Sequence, residues 1–347
     1  SGGSFDEPND PNRGDVHYWE VWHGNKPFSE YRKYFFRYAS EFGFQSFPSV
    51  KTLETVTDDP KELNPFSYVM EKHQRNYGGN GKIAKYMQAA YRYPENFSDF
   101  VYASQLLQAD GIRYGVEHYR RNRGRCMGAI YWQLNDCWPV ISWSSIDYYG
   151  RWKALHYYAK RFFAPVMLSC EEQSWMTVEA DMNRQHFEFE KSIRLNVTNE
   201  TLDAHRVLVK WAVRKTDATI LREEEQWLEV PALSAVWMDK VELPQIDCFN
   251  EYVSYEAWEN DQIISQGTVI FSYPKYFHYL NPGLAVRVDG DEIVVKAEAY
   301  AKSVEIRNEN DDLILEDNYF DMNAGEYRVK ILDGKPDGLK VRSVYDI

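Results

Sequence analysis

A single carboxylate, Glu41, stands inside an aromatic stretch, RYASEFGFQSFPS at residues 37–49. A strand on the protein surface would alternate polar and apolar residues, whereas Phe42, Gly43 and Phe44 follow this acid directly. Burying an ionised carboxylate without a partner costs several kcal/mol or more. Glu41 is therefore either a structural acid held in a salt bridge or an acid whose charge is used in a cleft.

Two further groups that could line such a cleft lie at the ends of predicted strands. They are the aromatic run His17–Trp19 and the single residue Trp132. Active sites of parallel barrels gather at the carboxyl ends of the strands. Together with Glu41, these groups predict a cleft with an acid and aromatic walls, which is what a glycoside hydrolase needs.

The sequence lacks the residue types or spacings that other kinds of functional site require. The stretch GGNGKIAK resembles a phosphate-binding loop, but Asn76 replaces the first glycine and Ile83 follows Lys82 where Ser or Thr is required. The sequence contains no H-E-x-x-H motif and no G-x-S-x-G motif. Its four cysteines form no C-x-x-C pair. The sequence therefore predicts no metal site and no cofactor.

The composition of the chain limits the kinds of partner that the protein can bind. The 347 residues carry a formal net charge of -13, which argues against nucleic acid and anionic membranes as partners. No apolar run reaches the ~18 residues of a membrane-spanning helix. The chain has 11 Trp and 26 Tyr. Such residues suit sugar rings, because they combine a flat apolar face with a polar tip, but they also suit an ordinary aromatic core.

The elements that must position these residues fall into two patterns. In the first part, strand-like stretches alternate with helical ones, which is typical of parallel βα units. The predicted strands are 15–22, 36–47 and 125–136, and the predicted helices are 26–35, 62–75, 80–92, 97–121 and 150–163. From residue 166 the pattern changes to short alternating runs, among them SWMTVEADM at 174–182, which is typical of antiparallel sandwiches.

The predicted fold is thus the C-terminal part of a (β/α)8 barrel followed by two immunoglobulin-like β-sandwiches. We expect the partial barrel at 1–165, the first sandwich at 166–272 and a smaller second sandwich at 273–347. In the last unit, DGDEIVVKA predicts a tight turn into a strand. A complete barrel has eight strands in ~250 residues, and only three candidate strands are present, so we expect N-terminal sequence to be missing.

Three blocks of the sequence resemble glycoside hydrolase family 2, and most closely its β-mannosidases. They are GDVHYWEVWHG, ASEFGFQSFPS and YWQLNDCWP…SWSSIDYYGRWKALHYYAKRFF. The resemblance covers almost the whole chain and agrees with the family's order of domains. It implies a retaining exo-β-mannosidase that acts on non-reducing β-mannosyl residues of oligosaccharides. The alternatives are a β-galactosidase or β-glucuronidase of the same family, or a non-catalytic carbohydrate-binding or scaffold fragment.

The resemblance also implies roles for individual residues. Glu41 matches the family's catalytic nucleophile, and Trp132 matches an aromatic residue that forms the floor of the sugar subsite. The strand HYWEVW, which begins at His17, matches a strand whose aromatic side chain contacts the nucleophile or the sugar. Either Tyr18 or Trp19 is that side chain.

The resemblance also concerns an Asn-Asp pair after the last strand and the general acid/base of the family. Asn135 and Asp136 resemble the family's Asn-Asp pair, and they either contact substrate or hold the loop after the last strand. The family's general acid/base is a Glu in an Asn-Glu pair, which occurs here only within the expected sandwiches, at 199–200, 250–251 and 308–309. We therefore expect the acid/base upstream of Ser1, in a missing N-terminal part of the same enzyme, and an isolated chain that is inactive.

Overall fold

Three short parallel strands form the first sheet. The computed structural model describes residues 10–178 and 188–347. Strand β1 (Val16–His17) pairs with β2 (Ala39–Phe42), which pairs with β3 (Ala129–Tyr131). His17 lies opposite Glu41, and Phe42 lies opposite Tyr131. Because both pairings are parallel, the carboxyl ends of the three strands meet at one edge of the sheet.

Five α-helices connect and cover these strands. They are α1 (Val50–Leu53), α2 (Tyr68–Lys72), α3 (Gly79–Ala90), α4 (Phe97–Arg121) and α5 (Ala154–Phe162). Helix α4 begins where the sequence predicts, because the Asn96 side chain accepts a hydrogen bond from the Asp99 amide at 3.0 Å and caps the first turn. Its side chains are buried on almost every face, so it is a central helix packed on several sides. No helix in the described ranges is long and apolar enough to cross a membrane.

Several predicted elements are shorter in the structure. Residues 26–35 form a 3-10 helix at Phe28–Lys33, and the predicted helix at 62–75 is reduced to α2. The three predicted strands keep only two to four residues of regular pairing each. After β2 the backbone still forms hydrogen bonds, but its partner is a loop and not a strand. The Ser46 amide donates to the Ser142 carbonyl at 3.0 Å. Aromatic runs thus overstate strand length here.

The next unit is a sandwich of two antiparallel sheets. One sheet contains β4 (Val166–Gln173), β5 (Ser192–Asn199), β8 (Ser234–Trp237) and β9 (Val241–Glu242). The other has the order β11-β10-β6-β7 and contains β6 (His205–Lys215), β7 (Ile220–Val230), β10 (Glu251–Glu259) and β11 (Gln262–Ile270). Alternate residues face the core; in β6 they are Val207, Val209, Trp211 and Val213.

The last strands form the second sandwich. One sheet contains β12 (Ala285–Asp289), β13 (Glu292–Ala297), β15 (Ile314–Leu315) and β17 (Gly325–Asp333). The other contains β14 (Ala301–Arg307), β16 (Phe320–Met322) and β18 (Lys340–Arg342). Strands β12 and β13 form the hairpin that DGDEIVVKA predicts, and Gly290 at its turn has φ +67°, which favours glycine.

The fold class is confirmed, and one local prediction is wrong. The predicted strand at 174–182 contains instead a 3-10 helix, Trp175–Thr177, capped by the Ser174 side chain. Ser, Asp and Asn favour such caps because their side chains bond to nearby amides. Residues 179–182 of this prediction lie outside the described residues. The domain limits at 165 and 272 stay predictions; β4 begins at 166 and β11 ends at 270.

A buried ion pair links the partial barrel to the first sandwich. The Arg32 guanidinium donates to the Glu172 carboxylate at 2.7 Å and to the Glu172 carbonyl at 2.9 Å, and the Tyr114 hydroxyl donates to the same carboxylate. Burial raises the pKa of Glu172, but the Arg32 charge and the Tyr114 hydrogen bond outweigh it and lower the pKa below its usual value. Glu172 is therefore a charged, fully partnered structural acid.

Glu172→Gln should lower the free energy of unfolding by about 3–5 kcal/mol, because it leaves the buried Arg32 charge without its partner. Adding Arg32→Met should restore part of the loss. As a control, Glu54→Gln removes a half-exposed pair with Lys51 and should cost less than about 1 kcal/mol. Thermal and urea unfolding of the variants measure this, and equal losses for Glu172 and Glu54 would show that the link contributes little.

Candidate active site

The alternation of side chains along β1 brings two aromatic residues to Glu41. His17 and Trp19 lie on the same side of the strand, because neighbouring side chains point to opposite faces. The Trp19 indole Nε1 donates to Glu41 Oε1 at 3.0 Å, and His17 Nδ1 lies 3.7 Å from the same oxygen. The Glu41 side chain is 23% exposed. Glu41 is thus a mostly covered but still accessible carboxylate with one oxygen held by a neutral donor.

Tyr18 points the other way, into the core. Its amide donates to the Glu41 carbonyl at 2.7 Å, which fixes the register. Its ring packs against Tyr31, Tyr34 and Phe36, with centroid distances of 6.0, 5.1 and 5.0 Å. Burial, with a smaller contribution from the neighbouring Tyr34, raises the pKa of Tyr18 far above its usual value. Of the two residues that the sequence left open, Trp19 is the one in contact with Glu41.

Gly43 lets three tryptophans close around the edge of the sheet. A Cβ atom at this position would lie 2.5 Å from the Trp132 carbonyl oxygen and 3.0 Å from ring atoms of both Trp19 and Trp143. The Trp132 amide in turn donates to the Phe42 carbonyl at 2.8 Å. The Trp132 side chain remains 44% exposed, so its ring is accessible at the carboxyl end of β3.

Trp143 and His23 also lie at this site, although neither was among the residues expected to act in catalysis or substrate binding. The Trp143 ring meets Trp19 edge-on at 6.1 Å, and the His23 ring lies 5.3 Å from Trp19. Burial and the nearby Lys82 charge lower the pKa of His23. Both residues stand inside blocks that carry the family resemblance, HYWEVWHG and SWSSIDYYG, and those blocks were the only signal that could have identified them.

Asp136 holds the loop after β3. It accepts hydrogen bonds from the Ser142 hydroxyl at 2.8 Å, the Ser144 hydroxyl at 2.5 Å and the Gln133 amide at 3.1 Å. Burial lowers the pKa of the nearby Lys153 amine to about 8, and the Asp136 and Asp147 charges oppose that shift. These hydrogen bonds give Asp136 a structural role, in which it fixes the conformation of the loop after β3.

Asn135 precedes Asp136 and is exposed. Its backbone forms a parallel bridge with Ile146, which ties the same loop together. The described residues therefore bring His17 and Trp19 to Glu41, place Trp132 beside Phe42 and Gly43, and give Tyr18 and Asp136 structural contacts. Within this described part, no group of three or more His, Cys, Asp or Glu side chains could hold a metal ion.

The arrangement suits chemistry at a carbon atom that a carboxylate can reach. The Trp19 indole holds one oxygen of Glu41 through a hydrogen bond and restricts rotation of the carboxylate. The Trp19 ring lies against one oxygen of the acid, while partial exposure leaves the carboxylate open to a substrate. A carboxylate beside aromatic residues is one half of the machinery of a glycosidase.

The two sandwiches match known family descriptions. Residues 191–276 match the mannosidase Ig/CBM-like domain, and residues 279–347 match an Ig-fold domain of the mannosidases.

Similar proteins extend the match to the partial barrel. The chain is 30% identical over 361 residues to β-mannosidase B of Thermothelomyces thermophilus, covering 96% of this chain and 41% of that protein. It is 37% identical over 173 residues to a β-mannosidase of Capra hircus, covering 46% and 19%. The crystal structure of a β-D-mannosidase from Dictyoglomus thermophilum superposes with a TM-score of 0.84 at 26% identity, covering 99% of this chain and 41% of that one.

These findings define the class. A partial parallel barrel with an acid at its edge, followed by two immunoglobulin-like sandwiches, places the chain among the glycoside hydrolases of family 2. Within that family the chain belongs with the β-mannosidases. Two of these relatives match this chain over most of its length. The chain spans only about two fifths of the length of each of them.

Gly43→Ala should destabilise the protein by ~1–3 kcal/mol, because the added methyl group overlaps a backbone carbonyl that cannot rotate away. The control is Gly81→Ala in α3, where nothing lies within 4 Å of the new Cβ, and which should stabilise by ~0.5–1 kcal/mol. Thermal unfolding measures stability, and near-UV circular dichroism reports on Trp19 and Trp143. Unchanged stability and spectrum for Gly43→Ala would contradict the close approach.

Proposed function

We propose that the protein is a retaining exo-β-mannosidase and that Glu41 is its nucleophile. A carboxylate oxygen of Glu41 attacks the anomeric carbon of a terminal β-mannosyl residue, and the bond to the leaving oxygen breaks. A second carboxyl group protonates that oxygen. Water then attacks the anomeric carbon of the covalent α-mannosyl enzyme while the same second group accepts a water proton. The bond between that carbon and Glu41 breaks, which restores the Glu41 carboxylate and releases β-mannose with its configuration retained.

The observation that carries the proposal is the hydrogen bond from Trp19 to Glu41. The contacts fall on Oε1, so we assign the attack to Oε2. A neutral indole donor fixes the carboxylate without forming a salt bridge. A salt bridge to Lys or Arg would engage the lone pairs of the carboxylate oxygens and make the carboxylate a weaker nucleophile. A single hydrogen bond from the indole leaves the lone pairs of Oε2 available for attack on the anomeric carbon.

Trp132 supplies the sugar-facing surface in this proposal. Its accessible ring stands at the carboxyl end of β3, beside the strand that bears Glu41. The C–H groups of one face of a pyranose ring are apolar and pack on an aromatic face, while the hydroxyl groups at the rim remain solvated or hydrogen-bonded. This contact would orient the anomeric carbon toward Glu41.

We assign the role of the second carboxyl to none of the glutamates in the three Asn-Glu pairs. In a retaining enzyme it must lie ~5 Å from the nucleophile. Glu200 instead pairs with Arg123 at 3.0 Å, Glu251 opens strand β10 of the first sandwich, and Glu309 follows β14 of the second. Tests of catalysis therefore use the complete protein that carries this chain.

Glu41→Ala should reduce hydrolysis of 4-nitrophenyl β-D-mannoside by several orders of magnitude while leaving thermal unfolding nearly unchanged, because the covalent step is lost. Azide should restore turnover of this activated substrate by occupying the space of the missing carboxylate, and the product should be the α-mannosyl azide. Glu54→Ala, which removes an exposed acid, is the control.

Two results would contradict the assignment of Glu41. One is trapping of a different residue by a 2-deoxy-2-fluoro-β-mannosyl fluoride, read by peptide mass spectrometry. The other is full turnover by Glu41→Ala. Parallel assays with β-galactoside and β-glucuronide substrates test the substrate class independently, since faster hydrolysis of either would keep the nucleophile and replace the sugar.

Trp132→Ala should raise the activation free energy, measured from kcat/KM for the same β-mannoside, by ~1–3 kcal/mol through loss of the stacking face. Tyr93→Ala, at an exposed aromatic residue between α3 and α4, should leave kcat/KM unchanged. If Trp132→Ala changed only the unfolding temperature, Trp132 would be a packing residue rather than a substrate contact.

A further inference from the structure

On strands β10, β6 and β7 of the sheet β11-β10-β6-β7, the first sandwich has an aromatic, polar face, where Trp227 is exposed and Trp258 is partly exposed. Alternate residues of β6 fill the core, so the intervening residues Leu208, Lys210 and Ala212 point outward. Residues opposite one another on paired strands share a face. Trp227 on β7 and Trp258 on β10 both lie opposite Leu208. The two tryptophans therefore flank Leu208 in one row across three strands.

Both rings are held in place by cationic side chains. The Arg206 guanidinium lies 4.5 Å from the Trp227 ring centroid, and the Lys210 ammonium lies 5.3 Å from that of Trp258. The Trp258 indole also donates to Glu256 Oε2 at 2.8 Å. Trp227 nevertheless remains 54% exposed. Rings fixed in this way lose little conformational freedom when a ligand binds, which favours affinity.

A cavity of about 480 Å³ adjoins this row. The small residues Ala212 and Ser254 lie opposite each other on β6 and β10 and form its floor. Its sides carry the longer polar residues Lys210, Arg214 and Glu225. The surface therefore combines aromatic rings with a recess bordered by hydrogen-bonding groups, which are the two features that sugar recognition needs.

The cations on this face each have a polar partner. Lys210 pairs with Glu225 at 3.6 Å, Arg206 pairs with Glu229 at 3.4 Å, and Arg214 donates to the Ser254 hydroxyl at 2.9 Å. Glu223 and Glu256 also border the recess, so the face carries a small excess of negative charge and does not attract anions. A neutral ligand rich in hydroxyl groups fits it, because hydroxyls can both donate to carboxylates and accept from Lys and Arg.

We propose that this face is a carbohydrate-binding site, separate from the site at Glu41, for an extended neutral β-linked glycan. Trp227 and Trp258 are separated by two strand spacings, roughly 10 Å, which is comparable to the length of a disaccharide unit. The glycan crosses β7, β6 and β10, stacks on the two rings, and places hydroxyl groups in the recess between Lys210, Glu225 and Ser254. Each alternate sugar ring meets one tryptophan.

Native gel electrophoresis in the presence of soluble glucomannan tests this site. The unmodified protein should be retarded, and Trp227→Ala and Trp258→Ala should each weaken the retardation at least tenfold. Trp237→Ala is the matched control, because Trp237 is another sandwich tryptophan covered by a cation, Arg194, but lies on the other sheet. Trp132→Ala is the second control and removes an aromatic face at the candidate active site.

Retention of binding by both controls, with loss in the Trp227 and Trp258 variants at unchanged unfolding temperature, supports the proposal. Three outcomes overturn it: no retardation of the unmodified protein, equal retardation of all variants, or loss of retardation only in Trp132→Ala, which would assign the binding to the Glu41 site. A sedimentation experiment can give a fourth outcome that overturns the proposal. Self-association that Trp227→Ala abolishes, without glycan binding, would make this face a contact between two copies. None of these outcomes depends on whether Glu41 is a nucleophile.

Discussion

The parallel register of β1, β2 and β3 determines where every side chain of the candidate site lies. His17 is opposite Glu41, so Trp19, two residues further, projects beyond the end of β2 and reaches the Glu41 carboxylate. A shift of one residue would exchange Trp19 for Tyr18 and place a phenol where the indole now donates. Two backbone hydrogen bonds resist such a shift, one from the Tyr18 amide to the Glu41 carbonyl and one from the Trp132 amide to the Phe42 carbonyl.

Partner and exposure together separate Glu41 from the structural acids, because Asp136 also has neutral partners but is almost fully covered. Glu172 is paired with Arg32, Asp321 with Lys302 at 3.0 Å, and Glu305 with Arg342. Each of these acids has a strong cation as its partner and is almost fully covered. Glu41 differs on both counts, because its contacts are an indole N–H and a histidine nitrogen and a quarter of its side chain is open. Of the two interpretations that the sequence allows, this contrast favours an acid whose charge is used.

Local patterns predicted the bounds of α4, overstated the length of the three barrel strands and gave no information on contacts between distant residues. The bounds of α4 and β6 follow from a capping Asn and from strict alternation, both of which act within a few residues. The choice between Tyr18 and Trp19 depends on register, which is set by pairing with a strand more than 20 residues away. The Arg32–Glu172 pair spans 140 residues, and neither residue carries a local signal. Trp143 likewise reaches the site through a loop whose path depends on Asp136.

Helix α4 transmits the stability of the sandwiches to Glu41. Phe42, the neighbour of Glu41, packs against Gly115 of α4, where a Cβ atom would lie 2.8 Å from the ring. On other faces of the same helix, the Tyr114 hydroxyl donates to Glu172 of the first sandwich, and the Tyr102 hydroxyl donates to the Ser303 carbonyl of the second at 2.5 Å. The apolar core of the partial barrel is also continuous with that of the second sandwich.

Loosening either sandwich would therefore loosen α4, and with it the packing behind β2. A nucleophile must be held within a fraction of an ångström of its target to gain from proximity, and a two-residue strand such as β1 cannot provide that rigidity alone. The sandwiches contribute no residue to the contacts of Glu41 described here, yet their buried links to α4 supply the stiffness that those contacts require. This dependence gives the β domains a physical role in the candidate site that is independent of any ligand they bind.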